Sequence, residues 1–274
     1  MIEFKLSEWK LSNQDQFASS KHTQHGVGLV ELMVGVALAL FLLLGLFSIF
    51  NTTRITYSAQ TGLTQLQEKQ RNAVSLMKGV IQLAGYFPAP ATQLLSSDPS
   101  EIKNSVFPAG TNGIYTLGGS IFGTYGGAGN NDTLRIRFQT GPNDTAPIPN
   151  CQGNINNTGT NTVYDNLFSV VNNSNDGKSY LACAVGVNGG AVGANQYLID
   201  GVSSLQVLYG VDAQGQGSVT QYVNASYFTG AAQLKWSQVH SIKIIIGYAN
   251  PNAATAGQPA TVTTTQTIQV MGNQ

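Results

Sequence analysis

One run of the chain, Val27 to Phe50, reads VGLVELMVGVALALFLLLGLFSIF and carries a single charge, Glu31. Twenty-four residues at 1.5 Å each would make a helix of ~36 Å, enough to cross a bilayer. No second run in the 274 residues approaches it, so one crossing is expected. A cleaved secretory signal would be shorter and would end at a small-x-small site. Phe50-Asn51-Thr52 offers none, which favours an anchor that stays on the protein. Charged residues are only 9% of the chain while apolar ones are 42%. Lys and Arg number 13, as do Asp and Glu, so there is no net field to steer nucleic acid, and no direct nucleic-acid partner is expected. With 31 Gly and abundant Asn, Gln, Ser and Thr, the composition suits a turn-rich β protein outside the cytoplasm.

The anchor does not end the helical pattern. Between Asn51 and Ala84 apolar residues fall at Ile55, Ala59, Leu63, Leu66, Ala73, Val74, Met77, Val80, Ile81 and Ala84, steps that mark one helical face. Gly85 and Pro88 form a stop signal. A single helix from about Val27 to Ala84 would be ~87 Å long, apolar all round in its first half and striped in its second. Gly35-x-x-x-Ala39 also offers a small-residue face for close helix packing. Beyond Phe87 the chain changes character. Pro88, Pro90 and Pro99 open an irregular stretch, and Gly118 to Gly129 looks turn-forming. Six strand-length runs follow: Thr133–Gln139, Leu167–Val171, Tyr180–Val185, Leu205–Val211, Ser241–Tyr248 and Thr261–Val270. The expected fold is α+β, one antiparallel sheet laid on the second half of the helix. The segment 141–166 reads as surface loop.

Glu31 decides what kind of anchor this is. A carboxylate inside an apolar span costs a few kcal/mol, so it either lies near the interface and snorkels or has a partner. The residues ahead of it, His25-Gly26-Val27-Gly28-Leu29-Val30-Glu31, resemble the prepilin signal of type IV pilins and type II secretion pseudopilins. Val27 stands where that family commonly has Phe. The resemblance implies a leader, 1–26, cut between Gly26 and Val27 by the prepilin peptidase/N-methyltransferase, which also methylates Val27. It implies that Glu31, fifth in the mature chain, registers the subunit by facing the new N-terminal ammonium of a neighbour, each buried charge offsetting the other. Four segments follow: leader 1–26, membrane half 27–50, amphipathic half 51–84 and β-rich domain 85–274.

A finer resemblance, to PilW-type minor pilins, is carried by Thr61-Gly62-Leu63-Thr64-Gln65-Leu66-Gln67-Glu68-Lys69-Gln70-Arg71-Asn72-Ala73, by Leu83-Ala84-Gly85-Tyr86, and by the DTLRIRF and GVSSLQVLYGVD runs. It implies a single-pass inner-membrane protein with its domain in the periplasm and later in the pilus. The implied partners are the major pilin, other minor pilins and inner-membrane lipid. The implied role is pilus assembly or priming, serving twitching motility and DNA uptake. A J-type pseudopilin of type II secretion and a pilus-tip adhesin are the alternatives.

In a periplasmic domain Cys151 and Cys183, which sit in no metal-ligand spacing, would pair as a disulfide. No cofactor is expected. His240 is the one His beyond the leader and opens an apolar strand; no GxSxG frame or P-loop occurs, so no enzyme is expected. Asp212 begins a stretch with the register of a calcium loop, Gly217 at its sixth position. Gln214, Gln216 and Val223 replace the other side-chain ligands, so a Gly-rich hairpin turn is the better reading and the metal signal is weak.

Overall fold

The computed structural model describes Gly26 and residues 28–88, 98–110, 114–142, 147–229, 234–255 and 257–271. They form two compact units that divide after Ile55.

Among its described residues the first unit is helical from Leu29 onward. Helix α1 runs from Leu29 to Gln82, and its opening hydrogen bond is Leu32 N–H to the Gly28 carbonyl (3.2 Å). It is long and apolar enough to cross a membrane. Every described side chain from Leu29 to Ile55 is exposed in the isolated chain.

The second unit begins within α1, at Thr56. Here the helix buries Leu66, Ala73, Met77, Val80 and Ile81. These steps of seven, four, three and one are the stripe the sequence showed, but it starts to bury only at Leu66; Leu63 is exposed, as is Ile55 in the first unit. Regular helix ends at Gln82, two residues short of the expected Ala84. Leu83 to Gly85 form a turn, with Gly85 at φ +76°, a conformation that glycine adopts without the strain of a Cβ. The Gly85 N–H donates to the Arg137 carbonyl (2.9 Å), which fastens the helix end to the sheet.

Pro99, read above as part of an irregular stretch, lies in the first turn of a second helix, α2 (Pro99–Val106). Asp98 caps it by accepting from Ser100 N–H (2.8 Å). An Asp N-cap followed by Pro is a start signal, legible in Asp98-Pro99-Ser100-Glu101.

Among the described residues nine strands follow: β1 (Ile121–Thr124), β2 (Thr133–Thr140), β3 (Thr162–Asn173), β4 (Lys178–Val187), β5 (Gln196–Asp200), β6 (Val202–Val211), β7 (Gln221–Val223), β8 (Val239–Ala249) and β9 (Thr261–Gln269). All six expected strands are among them. The expected single sheet is two antiparallel sheets, ordered β1-β2-β3-β4-β5 and β7-β6-β8-β9. The turn-like stretch from Gly118 contains β1, and the loop read over 141–166 gives way to β3 at Thr162. One core joins Met77 and Ile81 of α1 with Leu134, Ile136, Phe138 and Leu181 of the first sheet and Leu205, Val207, Ile242, Ile244 and Ile246 of the second.

The seam between the sheets is polar. β7 covers β6 only from Tyr209 to Val211, leaving the edge before it open. Asn131 and Asp132 fill that edge. Asp132 N–H donates to the Leu205 carbonyl (2.9 Å), Leu205 N–H to Asn131 Oδ1 (3.0 Å), and Val207 N–H to Asp132 Oδ2 (2.9 Å). The other Asp132 oxygen accepts from Gly126 N–H (2.9 Å). Replacing Asp132 with Ala orphans two backbone donors, one of them in a core strand. We expect a loss of roughly 1.5–3 kcal/mol, read by denaturant unfolding, with Asp132→Asn recovering part of it.

Candidate assembly surface and the polar clusters of the domain

Gly26 and Glu31 lie on the first unit, and Val27 falls outside the described residues. Glu31 sits in the first turn of α1, exposed among Leu29, Val30, Leu32 and Met33, each more than half exposed. Among the described residues no salt bridge reaches it. A Cβ placed on Gly26, Gly28, Gly35 or Gly45 would meet nothing within 4 Å. The surface is thus a smooth apolar rod with one acid near its start.

Cys151 and Cys183 form a disulfide, with Cα atoms 6.2 Å apart, as expected. It joins the loop after Pro147 to the middle of β4. The same loop is held by Cys151 N–H donating to Asn166 Oδ1 (2.8 Å), and Asn166 Nδ2 reaches the Ile136 carbonyl (3.3 Å). Gln152 Nε2 donates to the Cys183 carbonyl (3.1 Å). The loop is therefore part of the sheet's cover. Closing about 32 residues should stabilise the domain by ~3–4 kcal/mol in the chain-entropy model. A Cys151→Ala, Cys183→Ala variant should melt roughly 6–16 °C lower in detergent, as read by circular dichroism.

Asp212 is buried, and its carboxylate turns inward on its own loop. Oδ1 accepts from Gln214 N–H (3.1 Å), and Oδ2 from Gly217 N–H. Desolvation pushes this carboxyl up, but the backbone N–H groups of Gln216, Gly217, Gln214 and Gly215 outweigh it and hold it below the usual carboxylate range. These bonds close the loop that connects β6 to β7 on itself. Among the described residues no three His, Cys, Asp or Glu side chains gather as metal ligands. His240 lies half-buried at the start of β8.

A cluster that the sequence reading missed lies on β2. Leu134, Ile136 and Phe138 face the core, so Arg135 and Arg137 share the opposite face. Arg135 forms a bidentate pair with Asp165 of β3, and the Tyr115 hydroxyl donates to the same carboxylate (2.7 Å). Arg137 is buried over the Tyr115 ring, 3.9 Å from its centroid, and donates to the carbonyls of Gly119 and Pro108. Burial first, then the Asp165 charge, pushes the Tyr115 phenol well above its usual range, so it serves as a donor. The cluster clamps Pro108, Tyr115 and Gly119 onto the sheet. Its signal was two Arg at alternate positions in a chain poor in charge.

A family model described as Type IV Pilus-assembly protein W matches residues 168–274, from within β3 to the C-terminus. The match supports a PilW-type pilus protein, with a role in type IV pilus assembly. Together with the long apolar N-terminal helix, it fits a membrane-anchored pilus protein. No curated protein and no solved structure matches the chain.

Proposed function

We propose that the chain is a minor pilin that enters the inner membrane by residues 27–50, with its domain in the periplasm. The peptidase cuts between Gly26 and Val27 and methylates Val27, and the mature protein joins other minor pilins to prime or cap the pilus. Glu31 accepts the N-terminal ammonium of a neighbouring subunit. The carrying observation is the juxtaposition, in a chain whose C-terminal part matches a pilus-assembly family, of an exposed apolar helix with a single acid in its first turn. An apolar rod of this kind needs lipid or other rods around it, and the acid needs a cation there. Twitching motility and DNA uptake would then depend on the chain through the pilus itself.

Mass spectrometry of the natural protein tests the reading. The expected result is an N-terminal N-methyl-Val27 and no peptide from 1–26. A functional protein still beginning at Met1 would overturn it. Deleting the chain should remove pili; intact piliation with lost protein secretion would point to a type II pseudopilin instead.

A further inference from the structure

The two sheets have four outer edges, and three of them are blunted. β1 is only four residues long, and the Trp236 ring packs 5.6 Å from that of its Phe122. β5 has five residues, pairs through a bulge at Leu181/Ala182, and ends on Asp200, which is held by Lys69 of α1 at 2.8 Å. β7 has only three residues, and Lys243 lies over its Tyr222 ring. Short strands, bulges and charges are the usual means of keeping a sheet edge from pairing with another chain.

β9 has none of them. It is nine residues long, pairs with β8 in unbroken register from Ala249↔Thr261 to Ser241↔Gln269, and holds no Pro or charge. Indeed no Asp, Glu, Lys or Arg follows Lys243. Among the described residues no other strand pairs with β9. An extended strand paired on one side only leaves a row of N–H and C=O groups pointing outward, of which the Thr267 carbonyl accepts from Gln266 Nε2 (3.0 Å).

The sequence of this edge says what fits it. TVTTTQTIQ is close to symmetric about Thr265. Set antiparallel to itself about that residue, it places Val262 opposite Ile268, Thr263 opposite Thr267, Thr264 opposite Gln266 and Thr265 opposite Thr265. The full strand is then paired, both aliphatic residues meet on the inner face, where Ile268 is already buried, and no charge is brought against another. We propose that β9 is a self-association edge, pairing antiparallel with β9 of a second copy of this chain and extending the four-stranded sheet across a two-fold axis. Such an isologous contact closes on itself and removes both open edges at once.

The test uses the full chain in detergent. Cys151 and Cys183 are bridged, so a single introduced cysteine is the only free thiol. Nitroxide labels on Thr265→Cys should give a short inter-spin distance. Labels on Thr261→Cys, eight residues from their symmetry mates along the ladder, should lie roughly 27 Å apart at the backbone. Thr265→Lys brings two ammonium groups face to face and should give a monomer by light scattering, with the wild-type far-ultraviolet circular dichroism because Thr265 is exposed and a melting temperature that no longer depends on protein concentration. Mixing Thr265→Lys with Thr265→Glu should restore the dimer, while Ser174→Lys, at an exposed turn of the other sheet, should leave the wild-type dimer intact. A monomeric wild type would overturn the proposal and leave the edge to a strand of a different subunit. A Thr265→Lys variant that stays dimeric, or labels no closer at Thr265 than at Thr261, would also overturn it by placing self-association elsewhere, such as on the apolar helix.

Discussion

Replacing Glu31 with Val or Ala is expected to give a protein that inserts normally yet is missing from sheared pili. The argument is one of magnitudes. Glu31 lies in the first turn of α1, where the helix dipole favours an anion by about 0.3–1 kcal/mol. Burying a carboxylate in an apolar span costs about 2.5–3.5 kcal/mol on insertion scales. The dipole therefore does not offset the cost, and among the described residues no salt bridge does so. A neighbour's ammonium, brought close where water is excluded, can. Removing the carboxylate should ease insertion while leaving that neighbouring ammonium buried and unpaired, a state that costs several kcal/mol. The assay is an immunoblot of the membrane and sheared-pilus fractions from the same cells. Equal incorporation of Glu31→Val would show that the acid merely snorkels at the interface. Glu31→Gln separates charge from shape, since it can still accept a hydrogen bond, and is expected to incorporate poorly.

What was legible in the sequence followed from how local each signal is. The extent of α1 was readable to within a few residues because apolar spacing and the Gly85 stop are both local. The six longer strands were found because each carries several alternations. β1, β5 and β7 have three to five residues, which is too few for alternation to separate strand from turn. The division into two sheets rests on pairings between distant segments, such as β6 with β8, and on Asn131 and Asp132, which read as punctuation in a run of polar residues. Arg135 and Arg137 show how a local rule stops short. Strand alternation sets them opposite Leu134, Ile136 and Phe138. It could not show that Phe107, Pro108, Tyr115 and Gly119 return to cover that face, where burial and the rings of Phe107 and Tyr115 turn a solvated side into a second packed one. The disulfide was inferable from chemistry, since only two cysteines occur, whereas the pinning of its loop by Asn166 depends on a contact across fifteen residues.

A bulky side chain at Gly26 should yield an unprocessed, full-length protein that is membrane-bound and unassembled. Glycines are often kept for reasons of fold, and here the fold supplies none. A Cβ at Gly26 would meet no atom within 4 Å, and Gly26 is not among the glycines with positive φ. Gly85, by contrast, is held at φ +76° on the buried end of α1, where a side chain would be strained. If Gly26→Phe fails, the failure therefore lies in recognition by an enzyme that must bring the backbone close at that point, a task for which the missing Cβ is the relevant property. The accompanying measurements make the distinction. The domain of the variant should melt at the wild-type temperature, and its mass should exceed that of the mature wild type by the leader. Normal processing of Gly26→Phe would remove the scissile role from this residue. A lowered melting temperature would return Gly26 to structure. The corresponding substitution at Gly85 is expected to do the reverse, lowering the melting temperature while leaving cleavage intact, so the pair separates a glycine required by an enzyme from one required by a helix end.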